Sequence, residues 1–295
     1  LPAFYSEWFI NRIREGYFIS VNPFNPGQRR RVSLRPEDVA AIFFWSKNPA
    51  PLLKYLSLLD RQGYRYLFHY TLNNYPRCLE PRIPLLTDRV AIFKKLAERI
   101  GPARVIWRYD PIIISNLTSI QYHLDKFGYL AEELRGYVNE IRISFLQFYD
   151  KVRRKLTGLL PADKLVITDL REVQRRDDLK RLALNFAAIA RANKMEIKSC
   201  AEKIDLSSYG IHPGGCIDLE LVNRIFGLAL PIKKDKAQRP ECLCAQSVDM
   251  GSYDSCKFNC SYCYANQSDQ AVFKNCGFYD PEGDRLIDKD LAAPD

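Results

Sequence analysis

The chain has 295 residues, 47% of them apolar, which is enough for one large α/β domain or two modest ones with a sizeable core. Its net charge of +9 is uneven: residues 240–295 carry 4 Lys/Arg against 10 Asp/Glu, and residues 1–239 carry the other 40 against 25. No run of 18 apolar residues is present and no signal peptide opens the chain, so a membrane-spanning or secreted protein is not expected and a cytoplasmic one is. In chain order, residues 2–15 (PAFYSEWFINRIRE) read as a helix, and residues 17–34, with NPFNPG at their centre, read as a β-hairpin excursion. Short apolar or β-branched runs then follow at 40–45 (AAIFFW), 66–71 (YLFHYT), 104–109 (RVIWRY), 141–145 (IRISF) and 195–199 (MEIKS). Between them lie amphipathic stretches at 51–62, 87–100, 119–136 and 178–193, with Thr87 and Asp178 as expected N-caps.

Strands alternating with helices imply a parallel sheet, open or closed into a barrel. Five strands are visible, and a sixth is expected in front of the first helix, because a βα unit starts with a strand. The fold expected is thus a partial (β/α)6 TIM-like barrel over residues 1–230. Residues 231–240 (PIKKDKAQRP) read as a basic linker. Residues 231–295 read as a cysteine-rich segment packed on the barrel mouth and organised by a metal, since its apolar content is too low to fold it alone.

Nine cysteines are present, and eight of them lie between Cys200 and Cys276. One dense late cluster without a secretion signal points to metal binding rather than disulfides. The strongest motif is Cys256-x3-Cys260-x2-Cys263, followed by Tyr264. Thiolates are soft ligands that suit iron–sulfur clusters and zinc. Zinc knuckles more often use paired C-x2-C hooks, so the x3-then-x2 spacing leans toward a [4Fe–4S] cluster with one iron open to an outside ligand. Cys200, Cys216, Cys242 and Cys244 form a candidate second set, which would saturate a second cluster. Cys78 and Cys276 read as spare thiols, and His212 is a further candidate ligand beside Cys216.

In parallel barrels the active site gathers at the C-terminal ends of the strands. That rule collects Lys47 and Asn48, His69 and Thr71, Arg108 and Asp110, Ser144 and Gln147, then Cys200 and Glu202. Lys47 and Arg108 could hold a carboxylate or phosphate. Asp110 and Glu202 could hold an amine or ribose hydroxyls, and His69 could donate a proton. Each has a plainer alternative: Lys47 as a solvated loop residue, Arg108 with Asp110 as a structural pair, His69 as a packed strand histidine, Glu202 as a turn cap. His123 falls within an expected helix and reads as a surface residue. The dispersed basic residues serve solubility and offset an anionic cluster, or attract nucleic acid. No phosphate-binding Gly-rich loop and no nucleophile elbow is recognisable.

The segment 256–265, CKFNCSYCYA, resembles the radical S-adenosylmethionine (SAM) motif. That resemblance implies a [4Fe–4S] cluster on Cys256, Cys260 and Cys263. It also implies SAM on the open iron, its cleavage to a 5′-deoxyadenosyl radical acting on an unknown substrate, and a reductant such as a ferredoxin or flavodoxin. SAM-binding candidates are then Lys47, Asn48, Arg108, Asp110, Glu202 and Tyr264. PAFYSEWFINRIREGY, VNPFNP, FWSKNPAPLL, VIWRYDPI, ISFLQFY, SCAE and CSYCYAN together resemble a bacterial family catalogued as domain of unknown function eighteen-forty-eight. Members of that family carry an Arg-Arg-Thr-Asp strand before the PAFYS helix, which agrees with the sixth strand expected there. Two departures from radical SAM proteins stand out: the cysteine loop follows the barrel instead of the first strand, and no Gly-Gly-Glu-like segment follows the second strand. The alternative reading is an iron–sulfur or zinc protein without radical chemistry, serving electron transfer or binding nucleic acid or a partner.

Overall fold

The computed structural model describes residues 1–23, 25–158 and 165–290. Helix α1 (Ser6–Glu15) ends where Gly16 turns left-handed, φ 75°, and its N–H caps Arg12 O. The antiparallel hairpin of β1 (Tyr17–Asn22) and β2 (Asn25–Ser33) follows. Next come β3 (Ile42–Ser46), α2 (Ala50–Leu53), α3 (Leu56–Arg61), β4 (Tyr66–Thr71) and α4 (Leu86–Ile100). The middle of the chain is β5 (Val105–Ile112), β6 (Ile114–Ser115), α5 (Ile120–Glu133), β7 (Glu140–Phe145), α6 (Asp150–Gly158) and β8 (Ile167–Thr168). The last elements are α7 (Arg176–Ala192), β9 (Glu196–Cys200), β10 (His212–Gly214), α8 (Leu219–Phe226) and α9 (Asp269–Cys276).

Six strands form one sheet in the order β10-β9-β7-β5-β4-β3, and every neighbouring pair is parallel. The strands follow one another in sequence without a reversal. Right-handed crossovers therefore put the connecting helices on one face and bend the sheet toward a barrel. It stays open, with β3 and β10 as its edges. The chain is thus an α/β protein built on an open six-stranded parallel sheet. All five strands read from the sequence are present. The sixth strand of the sheet is β10, at the edge opposite the one where an extra strand was expected. Its three residues, His-Pro-Gly, carry no β-pattern, so only pairing with β9 makes them a strand.

Side chains alternate between the two faces. Tyr66, Phe68, Tyr70, Val105, Trp107, Tyr109, Ile141 and Ile143 join the main core under the helices. There Trp107 stacks on Phe127, and Phe127 on Phe186, with ring centroids 5.0 and 4.0 Å apart. Each such buried ring contributes about 2–3 kcal/mol of transfer free energy. The inner face divides along the strands. Leu67 and Ile106, lower down, are plugged by Leu221 and Val222 of α8. Above them the same face turns polar at His69, Arg108 and Arg142.

Several local expectations are corrected. The stretch 51–62 is two helices, because bonds of the i→i+3 type at Tyr55 and Leu58 tighten the turn between them. Thr87 lies inside α4, whose N-cap is Leu85. Asp178 lies in the first turn of α7, where a carboxylate meets the positive helix end without capping it. His123 is fully buried, bonded to Tyr109 Oη and Ile113 O at 2.9 Å each. Residues 250–290 cover more than the strand ends. Tyr279, Leu286 and Ile287 join the main core, Trp8 Nε1 donates to Gly283 O at 2.8 Å, and Ile19 N–H to Asp284 O at 2.9 Å. No helix among the described residues is long and apolar enough to cross a membrane.

Candidate metal centre

Two groups of cysteines stand at the C-terminal ends of the strands. The first begins with Cys200, the last residue of β9, which pairs with Gly214 of β10. Two residues later the chain delivers Cys216, and the two sulfurs are 2.8 Å apart. The segment 214–218 is held from below. Arg142, fully buried, lies 3.0 Å from Asp218 and 2.8 Å from Glu140, the latter close without hydrogen-bond alignment. Asp218 also caps α8 by accepting Leu221 N–H at 3.0 Å. A Cβ on Gly214 would stand 1.6 Å from Arg142 Nη1, and one on Gly215 would stand 2.7 Å from Leu243 O. The two glycines thus let a guanidinium and a second backbone approach.

That second backbone brings Cys244, whose sulfur accepts N–H groups of Cys216 and Ile217 at 3.1 and 3.4 Å. Cys242 is buried beside it, and its thiol acts on that of Cys244. Arg108 Nη1 donates to Cys216 Sγ at 2.7 Å, while its Nε meets Asp110 at 3.1 Å. Ser144 Oγ joins Asp110 at 3.3 Å. Donation from the Cys200 and Cys244 thiols, with the Arg108 guanidinium behind them, holds the Cys216 thiol well below its ordinary range. His69 Nε2 lies 2.8 Å from Cys216 O, so it carries the proton, and Nδ1 is left buried and unbonded. Burial, aided by Arg108, lowers His69 to about 4, and its ring stacks on Trp45 at 5.0 Å.

The second group is the Cys256–Cys263 loop. Phe258, Cys260 and Tyr262 sink into a small apolar cluster with Tyr75, Leu79 and Ile113, against which Cys256, Cys263 and also Cys78 pack. Asn259 takes a left-handed φ of 54°, which Asn tolerates better than most residues, and so turns the loop between its first two cysteines. Three contacts fasten the loop to the turn after β4. Ser261 N–H donates to Leu79 O at 3.0 Å, Ser261 Oγ to Cys78 O at 2.8 Å, and Tyr262 Oη to Glu80. Glu80 is 2% exposed and also pairs with Lys47 at 2.8 Å, yet its Oε2 has no partner. Burial raises the Cys256 thiol and pushes Cys260 up to about 12.

Lys47 therefore belongs with Glu80 and the loop, while His69, Arg108, Asp110, Cys200 and Cys216 belong together on the β9–β10 side. Glu202 stands apart from both, accepting Phe145 N–H at 2.7 Å with Oε2 unbonded, and burial raises it to about 7. Asn48 accepts Ala50 N–H at the start of α2. Tyr264 is 57% exposed beside Tyr149. Gln147 accepts Arg171 at 3.0 Å, Thr71 is half-buried, and His212 is exposed. Cys276 lies 3.5 Å from Tyr5 Oη. Sequence reasoning missed Glu80, Tyr262, Arg142 and Asp218. Their only mark in the sequence is a charged or phenolic residue flanking an apolar run, which is common to most strands and loops.

The donor chemistry fits iron–sulfur or zinc ligation, with seven thiols and no disulfide in either group. Among the described residues no three His, Cys, Asp or Glu side chains are already disposed around one metal ion. A cube places each thiolate on a different iron, so its ligands need not converge on a point. A family model, "Domain of unknown function (DUF1848)", matches residues 1–265, and the chain belongs to that family. No curated protein and no solved structure matches the chain.

Proposed function

We propose that the protein is a radical-SAM-like iron–sulfur enzyme acting at the open mouth of its barrel. The observation that carries this reading is the docking of the Cys256-x3-Cys260-x2-Cys263 loop at the C-terminal strand ends through Tyr262, Glu80 and Lys47. Although the loop follows the barrel in sequence, it lies where catalytic groups gather in parallel barrels. Cys256, Cys260 and Cys263 would hold a [4Fe–4S] cluster. Such a cluster with SAM on its fourth iron, reduced by a ferredoxin or flavodoxin, supplies a 5′-deoxyadenosyl radical to abstract hydrogen from substrate. Lys47 and the unpartnered Oε2 of Glu80 offer a cation and an acceptor beside the loop, suited to the carboxylate and amine of a methionyl group. Phe258, Tyr75, Leu79 and Ile113 exclude water on the loop's inner side, which a primary carbon radical requires.

The test is anaerobic purification with iron and sulfide counting, then incubation with SAM and dithionite. The reading expects SAM to alter the reduced cluster's electron paramagnetic resonance spectrum and to yield 5′-deoxyadenosine. Cys260→Ala should abolish both effects, and Cys276→Ala neither.

A second reading, an iron–sulfur centre for electron transfer or structure, is favoured by one contact. Cys78 packs into the same apolar cluster as the three loop cysteines. If Cys78 closes the fourth iron, SAM leaves the wild-type spectrum unchanged, and Cys78→Ala opens the cluster to small ligands.

A further inference from the structure

We infer that Cys200, Cys216, Cys242 and Cys244 form a second metal site, built for one tetrahedral thiolate-bound ion of the zinc or ferrous class instead of a second iron–sulfur cube. The inference is independent of the function proposed for the Cys256–Cys263 loop. Its first support is convergence from three places in the chain. Strand β9 supplies Cys200, the turn after β10 supplies Cys216, and the C-x-C segment supplies Cys242 and Cys244. The C-x-C segment is fixed by main-chain bonds at its C-terminal end. Ala245 N–H donates to Ile217 O at 3.0 Å, and Asp235 N–H donates to Cys244 O at 2.9 Å. Gly215 removes the side chain that would keep the two backbones apart.

The second support is what surrounds the sulfurs. Three N–H groups point at two of them: Arg108 Nη1 at Cys216, and the amides of Cys216 and Ile217 at Cys244. Donors aimed at sulfur stabilise thiolates, the form that binds metal, far more than neutral thiols.

The third is spacing. With zinc–sulfur bonds near 2.3 Å, two thiolates on one tetrahedral ion stand about 3.8 Å apart. The Cys200 and Cys216 sulfurs are 2.8 Å apart, so they need to open by about 1 Å to share one ion. A cube, with one thiolate per iron, would demand a much wider separation from the same pair. The four sulfurs run as a chain, Cys200 to Cys216 to Cys244 to Cys242; no three of them already surround one point, so binding an ion requires side-chain rotations about Cα–Cβ to close the chain around it. On binding, each neutral thiol releases its proton to solvent and no electron moves. The bound ion clasps the 231–245 segment to the strand ends and so sets where the Cys256–Cys263 loop begins.

The test uses the full chain carrying Cys256→Ala, Cys260→Ala and Cys263→Ala, so that only this site can report. Titrated anaerobically with zinc and, separately, with cobalt(II), it should bind about one equivalent of either ion, with the intense visible absorption of tetrahedral cobalt thiolate. Adding Cys242→Ala and Cys244→Ala should abolish that binding. In the otherwise native chain, the Cys242→Ala/Cys244→Ala pair should remove one single-ion equivalent and leave acid-labile sulfide unchanged. This arm also serves if the triple variant does not fold. The inference is overturned by about four irons with sulfide in the triple variant, by no metal lost from the native chain on the double substitution, or by a Cys200–Cys216 disulfide in protein isolated without oxygen. Loss of sulfide from the native chain would count against the loop's cluster alone.

Discussion

Replacing Gly214 with alanine tests how the strand ends are supported. The added Cβ would stand 1.6 Å from Arg142 Nη1 and 2.7 Å from Cζ. Arg142 has no free direction to move: it is fully buried and lies between Glu140 and Asp218. Gly214→Ala must therefore expel the guanidinium, leaving Asp218 without its cation and Glu140 with Lys198 alone, at a cost of about 3–5 kcal/mol. For a chain of this length that is roughly 6–10 °C in Tm. Arg142→Met carries a similar cost but leaves room for the new methyl group. The double variant should then be about as stable as Arg142→Met alone, a coupling of about 3–5 kcal/mol between the two positions. Thermal and urea unfolding of the four proteins, equally metal-loaded and followed by far-ultraviolet circular dichroism, measures this cycle. Losses that add to within about 0.5 kcal/mol would refute the steric account.

Gly215→Ala places its Cβ 2.7 Å from Leu243 O, a main-chain atom, and should cost about 1–3 kcal/mol while pushing Cys244 away from Cys216; metal counting should show loss at that site with loop iron retained. Glu80→Ala strands the Lys47 ammonium and frees Tyr262, so iron per chain after anaerobic reconstitution should fall well below wild type, and undiminished iron would sink the proposed anchoring role. Burial lowers His123 to about 4 from an ordinary 6.5, so the folded state binds its proton less readily than the unfolded chain. Stability is then intact above pH 6.5 and falls as pH drops from 6.5 toward 4, by about 3 kcal/mol in full and about 2 by pH 5. His123→Gln should remove that part of the difference between urea midpoints at pH 7.5 and pH 5; an unchanged difference would refute the assignment.

The alternation of β-branched runs with amphipathic stretches was enough to read a parallel α/β sheet, and β4 was legible to the residue. Its signal is local: an apolar strand buried on both faces looks the same in any fold that buries it. The spacing of Cys256, Cys260 and Cys263 was legible for a like reason, since three thiols on one short loop need nothing from elsewhere in the chain to be close together. Strand β10 was not, because His-Pro-Gly becomes a strand only when β9 lies beside it. Nor was the burial of His123, whose helix position looks solvent-facing until Tyr109 and Ile113 arrive from β5 and its end.

Local sequence determined the residue types at the strand ends and the soft-donor chemistry of thiols close together in the chain. Tertiary structure alone decided which of these residues meet. Lys47 goes to Glu80 and Tyr262, 33 and 215 positions away, while Arg108 goes to Cys216. Such pairings depend on strand order and on which backbone a glycine allows to approach. The sheet order β3-β4-β5-β7-β9-β10 fixes both for the whole mouth, where periodicity along the chain carries no record of either.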